Sequence, residues 1–197
     1  MITFKSKEDV RTVEEIYAEI NARMIAALML HSQMADYFDF LGLRGYKRLH
    51  EYQYVSEGKE RCELNRYYIN HHNRMIPDRY EGSVQMIPEG WKNANRISVG
   101  KSTKQKAVED GFNEYRQWES DTKALYEKYA VTLRDDGHIA DALRVEMLVD
   151  DVDGELKCLE RMLVDLISAG YDMVYIVESQ DAIHDRYKRK TAKVWEV

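Results

Sequence analysis

Residues 41–64 read LGLRGYKRLHEYQYVSEGKERCEL, and the reading of their middle decides the fold. Gly42 and Gly45 interrupt one helical pattern, and a second helix is expected from about Gly45 to Arg74. Its repeating face is Tyr46, Leu49, Gln53, Glu57, Glu60, Leu64, Tyr67 and His71, with His50 alongside. That face is apolar at both ends and polar in the middle. Glu57 and Glu60 are three residues apart and share one side of the helix. Facing water, they are solubility charges. Facing a core, they need a partner, and a metal ion is the expected one.

Upstream, apolar residues at Val13, Ile16, Tyr17, Ile20, Met24, Ala27, Leu28, Met34, Ala35 and Phe38 step by three and four. They predict a helix from Thr12 to about Phe40, with Thr12 and Glu15 as a capping box. Downstream, residues 75–102 are irregular and hold both prolines, and SVQMI (83–87) reads as a short extended piece. A third helix is expected from about Thr103 to Thr132, on a stripe that includes Phe112, Tyr115, Glu119, Thr122 and Tyr126. A fourth runs from about His138 to Ala169 and stops at Gly170. Its expected inward stripe is Leu143, Met147, Leu148, Asp151, Glu155, Leu159, Met162 and Leu166. YDMVYIV (171–177) can be read as extended, and residues from about Asp181 as a short fifth helix.

Short turns join the first and second helices and the third and fourth, while a long link joins the second to the third. That pattern predicts an all-α protein, a four-helix bundle with one long crossover. Residues 1–170 form the bundle in this reading, and 171–197 a C-terminal extension. The chain has 197 residues and a formal net charge of −6, which argues against nucleic acid or an anionic membrane as partner. No stretch reaches the roughly 18 apolar residues of a membrane span. The start MITFKSKEDV has no apolar signal region, and Cys62 and Cys158 lack metal-finger spacing. A cytoplasmic protein with reduced thiols is therefore expected. HHN (71–73), near the end of the second helix, is read as surface, and the basic run RYKRK (186–190) as solvated.

The stretch SQMADYFDFLGLRGYKRLHEYQYVSEGKERCEL (32–64) resembles the non-haem ferritins, from the end of their first helix through their second. GSVQMIPEGW (82–91) resembles their long loop, and TKALYEKYA (122–130) and DDGHIADAL (135–143) their third helix and following turn. The resemblance covers most of residues 12–166. It implies a ferritin-like four-helix bundle, Fe(II) as substrate, iron storage, and a homo-oligomer, a shell or smaller. It also implies ferroxidase chemistry at a paired-metal site built from carboxylates and a histidine.

Carried over residue by residue, that ligand set is incomplete. The first-helix ligand falls on Met24, which offers iron no usable donor. The Glu-x-x-His of the second helix falls on Glu57 and Glu60. The third-helix ligand falls on Trp118 or Glu119, and the fourth-helix acid on Asp151, with Glu155 one turn on. The expected metal residues are thus Glu57, Glu60, Glu119 and Asp151. His31 lies seven residues past Met24, and His50 seven before Glu57. On antiparallel helices the two histidines fall in one layer, ~10 Å from the Met24–Glu57 layer. There they either hydrogen-bond each other or tyrosine, or join Glu155 as additional metal ligands. The expectation is a weakened or single-metal site, with a catalytically inactive structural, shell or interaction protein as the alternative.

Overall fold

The computed structural model describes residues 12–77 and 99–194 in full, together with the backbone of residues 2–4 and 82–84. Five helices carry the fold: α1 (Val13–Phe40), α2 (Arg44–His72), α3 (Lys101–Asp135), α4 (Ile139–Ser168) and α5 (Met173–Lys193). A ribbon of two short strands, β1 (Ile2–Phe4) and β2 (Gly82–Val84), pairs antiparallel with Ile2 opposite Val84. Strand β2 covers the start of the extended piece expected over 83–87, and residues 85–87 lie outside the described residues.

The helix ends follow local chemistry. The hydroxyl of Thr12 accepts from the Glu15 amide while the Glu15 carboxylate accepts from the Thr12 amide, so the expected capping box opens α1. Three turns reuse one closing motif. After α1, Gly42 N–H donates to Asp39 and Leu43 N–H to Phe38. After α3, Gly137 donates to Arg134 and His138 to Leu133. After α4, Gly170 donates to Ile167 and Tyr171 to Leu166. Gly42 and Gly137 have φ of 78° and 81°, a backbone conformation that a side chain would strain.

Helix directions follow from contacts between distant residues. Tyr37 reaches Ala107, His31 approaches Glu119, and Arg23 bonds Thr122, so α1 and α3 run antiparallel. Tyr46 packs on Phe112 and Gln53 bonds Tyr115, so α2 and α3 run parallel. His72 meets Asp141, while Glu60 feels Asp151 and Glu155, so α2 and α4 run antiparallel. A parallel α2–α3 pair requires the intervening chain to travel the length of the bundle, which accounts for the long link.

Two apolar clusters fill the interior. One gathers Leu30, Phe38, Tyr46, Phe112 and Leu163, joined by Ile176 and Tyr187 of α5. The other gathers Tyr17, Ile20, Leu64, Tyr129 and Leu148. Helix α1 is buried on most of its circumference, between the bundle and the ribbon.

Two expectations are corrected. The stretch 173–177 is helical, not extended, and the fifth helix is 21 residues long rather than short. Asp172 caps it, its carboxylate accepting from the Val174 amide, and Ile176 is drawn into the core. The inward stripe of α4 is Ala142, Val145, Leu148, Val152, Leu159, Leu163 and Leu166. Leu143 and Met147 stand on the outer face, each more than half exposed. The two stripes differ by a fraction of a turn, and a helix this rich in leucine offers both.

Candidate metal centre

A polar belt separates the two apolar clusters. Arg23 and His31 come from α1, His50, Gln53, Glu57 and Glu60 from α2, Trp118, Glu119 and Thr122 from α3, and Glu155 from α4. Adjacent positions on α3 serve two neighbours. Trp118 and Glu119 are both buried, Trp118 against Arg23 and Glu119 toward His31.

Arg23 occupies the ground where the first-helix ligand was expected. Its guanidinium carbon sits 3.3 Å from the centroid of the Trp118 ring. Its Nε donates to Thr122 Oγ1 at 2.9 Å, and its Nη2 donates to the Trp118 carbonyl at 2.9 Å. Burial pulls its pKa down, and Glu119 and Glu57 are among the groups that pull it back up. Met24 is buried beside it. The remaining void between Arg23, Met24, Glu57, Glu60 and Trp118 measures about 10 Å³, room for a single water.

His31 and His50 share one layer, as their spacing predicts. Their Nδ1 atoms are 3.0 Å apart, and the rings stack at 27° with Phe38 and Tyr115 around them. One Nδ1 must donate and the other accept. Burial holds His31 down to about 3 and His50 well below the ordinary imidazole value, so both are neutral. His31 Nε2 lies 3.9 Å from Glu119 Oε1, and neither atom has a hydrogen-bond partner. The tautomer that best serves the set has His50 Nδ1–H donating to His31 and His31 Nε2–H aimed at Glu119.

The acids share one field. Burial, then Glu60, Glu155 and Glu119, push Glu57 well above the carboxylate range, with Arg23 opposing. Glu119 rises through burial and then Glu155, again opposed by Arg23. Glu60 is pushed up to about 8 by burial and then Glu155 and Asp151. Glu155 reaches about 7, raised by burial and by Asp151, with the Gln53 amide holding it down. A pocket of about 340 Å³ opens beside them, walled by Tyr52, Ser56, Glu60, Asp151, Glu155 and Lys190.

No family model, curated protein or solved structure matches this chain. The belt itself therefore bears the functional reading.

Of the sequence-predicted residues, Glu57, Glu60, Glu119 and Glu155 converge on one region. Asp151 stands exposed at the pocket rim, because it shares the outer face of α4 with Leu143 and Met147. Arg23 was missed. Its signal was the only Lys or Arg of α1, next to Met24, where a buried charge needs buried acids. His71 is exposed, as expected, and His72 is partly buried; both approach Asp141, with one ligand atom of each residue within 4.8 Å of the others. Among the described residues no other three His, Cys, Asp or Glu side chains bring ligand atoms so close. Cys62 and Cys158 are free thiols. No described helix is long and apolar enough to cross a membrane.

Proposed function

We propose that this chain is a ferritin-like bundle that binds iron at a single, weakened site in place of a paired-metal centre. One observation carries the reading: four glutamates from three helices gather in a half-buried interior, where burial and neighbouring carboxylates raise their pKa, with Arg23 and Lys190 to offset them. Uncompensated buried carboxylates are costly, and a divalent cation is the partner that relieves several at once. The parallel α2–α3 pair joined by a long link supports the ferritin-like part of the reading.

The residues do not fit two ions. Met24 supplies no charge, Arg23 supplies the wrong one, and the void beside them is only about 10 Å³. One ion could be held on the pocket side, which Glu60, Glu155 and Asp151 all line, once their carboxylates, which do not converge within 4.8 Å, are drawn together around it. Such oxygen donors suit Fe(II). When bound, the ion supplies positive charge and, for iron, access to the ferric state. Gln53 bonds Tyr115 and holds Glu155 down, and the neutral histidine pair faces Glu119 at 3.9 Å without adding charge.

Arg23 also favours a second reading, a bundle that keeps its acids protonated and serves as a structural or shell subunit. Fe(II) added without air to metal-stripped protein separates the two. About one ion bound per chain, lost in Glu57→Gln/Glu60→Gln, supports the iron site. Equal uptake by wild type and the double variant rejects it. With air admitted, ferric absorbance growing faster than in a protein-free control shows oxidation, and growth at the control rate leaves binding alone.

A further inference from the structure

We infer that the far end of the bundle holds a second metal site, a zinc-type site formed by His71, His72 and Asp141. It lies away from the central belt: Asp141 and Asp151 are ten residues apart on α4, ~15 Å along the helix. His71 and His72 close α2, Asp141 lies in the first turn of α4, and the three ligand atoms fall within 4.8 Å of one another.

The surroundings hold these groups in place. Asp141 is buried, and the Tyr17 hydroxyl donates to its Oδ1 at 2.9 Å. This second contact orients the carboxylate, as an outer partner does for a metal ligand. The Tyr68 ring packs on His72 at 4.6 Å, and the Tyr67 ring stacks on His71 at 5.3 Å and 14°. The Tyr67 hydroxyl is buried with no hydrogen-bond partner, so polar capacity is left over at the same place. Arg144, 5.9 Å from the Tyr67 ring, and Arg74, whose charge acts on Tyr68, add positive charge to the neighbourhood and temper the affinity.

Two imidazoles and one carboxylate are a donor set that zinc accepts, with a water in the fourth position. His72 Nε2 and Asp141 Oδ1 are 2.9 Å apart, held by a hydrogen bond. Tetrahedral zinc at ordinary bond lengths spaces its ligands about 3.3 Å apart, so this pair must open by about 0.4 Å and the His71 ligand atom must draw in by up to about 1.5 Å to admit the ion. The exposed His71 ring closes over it. The ion would replace one hydrogen bond by three coordinate bonds and tie the end of α2 to the start of α4.

The test is zinc titration of the full chain by calorimetry, with Co(II) absorption as a spectroscopic stand-in. The expected result is one zinc bound by wild type and at least tenfold weaker binding in both His71→Ala and His72→Ala. His71 is exposed, so its variant keeps the fold, and an unchanged far-ultraviolet spectrum checks this. Cobalt should give nitrogen–oxygen tetrahedral bands with no thiolate charge transfer. Equal affinity in wild type and His71→Ala overturns the site. So does loss of zinc in Cys62→Ser, or in Glu57→Gln/Glu60→Gln, with His71→Ala unaffected, since the ion then sits elsewhere.

Discussion

Replacing Arg23 by methionine removes the guanidinium of the central belt while keeping much of its volume. The guanidinium–Trp118 stack contributes about 2 kcal/mol when desolvated. The bonds to Thr122 and the Trp118 carbonyl contribute about 1.5 kcal/mol each as charge-assisted donors. Relief of the buried charge returns several kcal/mol. The Trp118 carbonyl also keeps the Thr122 hydroxyl as a donor, at 2.8 Å. Where the surrounding acids are protonated, near pH 5, these effects nearly cancel, and the loss is about 1 kcal/mol. Near pH 9, Glu60, pushed up to about 8, must ionise without the guanidinium nearby, and the loss grows to about 4 kcal/mol, the range for a buried pair stripped of one partner. Urea unfolding of metal-free wild type and Arg23→Met, followed by circular dichroism at both pH values, measures the difference. A destabilisation that is the same at pH 5 and pH 9 refutes the account, because Arg23 would then act by packing alone. The same variant should bind Fe(II) more tightly, since its fixed positive charge no longer competes.

The metal-free protein should lose stability as pH rises from about 4.5 to about 8. Glu60 and Glu155 hold their protons longer when folded, so the folded state binds more protons across that window. Glu57→Gln/Glu60→Gln should flatten this limb, and melting temperatures across the window that match wild type would count against it. The histidines act in the opposite sense. Folding holds His31 at about 3, so its contribution is complete above the free imidazole value near pH 6.5 and is lost progressively on acidification. The slope is about 1.4 kcal/mol per pH unit for each ring, and His31→Leu/His50→Leu should remove it. At the α2–α5 contact, an added Cβ on Gly45 would lie 2.5 Å from the Gln180 carbonyl oxygen. Gly45→Ala should cost about 1–3 kcal/mol by overpacking. Gln180→Ala should cost about 1–2 kcal/mol through the two amides it leaves unbonded. Urea midpoints unchanged by either substitution would refute that contact.

The parts of this fold legible in the sequence are those governed by local rules. The capping box at Thr12, the glycine turns and the polar middle of α2 can all be read from neighbours within a turn or two. The shared layer of His31 and His50 follows from antiparallel counting alone. Asp151 was misplaced because Leu143, Met147 and Leu148 sustain two apolar stripes, and tertiary packing chooses between them. Arg23 was missed because its partners, Trp118 and Thr122, are on another helix about a hundred residues away. The same holds for His72 and Asp141, separated by 69 residues. The register between hairpins is set by contacts that no short window contains.

The start of α2 is closed from outside its own segment. Leu43 offers no side-chain cap, and Gln180 of α5 supplies the acceptor, its Oε1 taking the amides of Gly45 at 2.9 Å and Tyr46 at 3.2 Å. The first of these bonds spans 135 residues. During synthesis at 5–20 residues per second, roughly 7–27 s separate the two ends of that bond. The α1–α2 hairpin thus emerges with one end open and is sealed only once α5 has been made. Closure of this end of the bundle is tied to arrival of α5, and a chain stopped short of α5 would leave the α2 amides and the Tyr52 side of its core facing water.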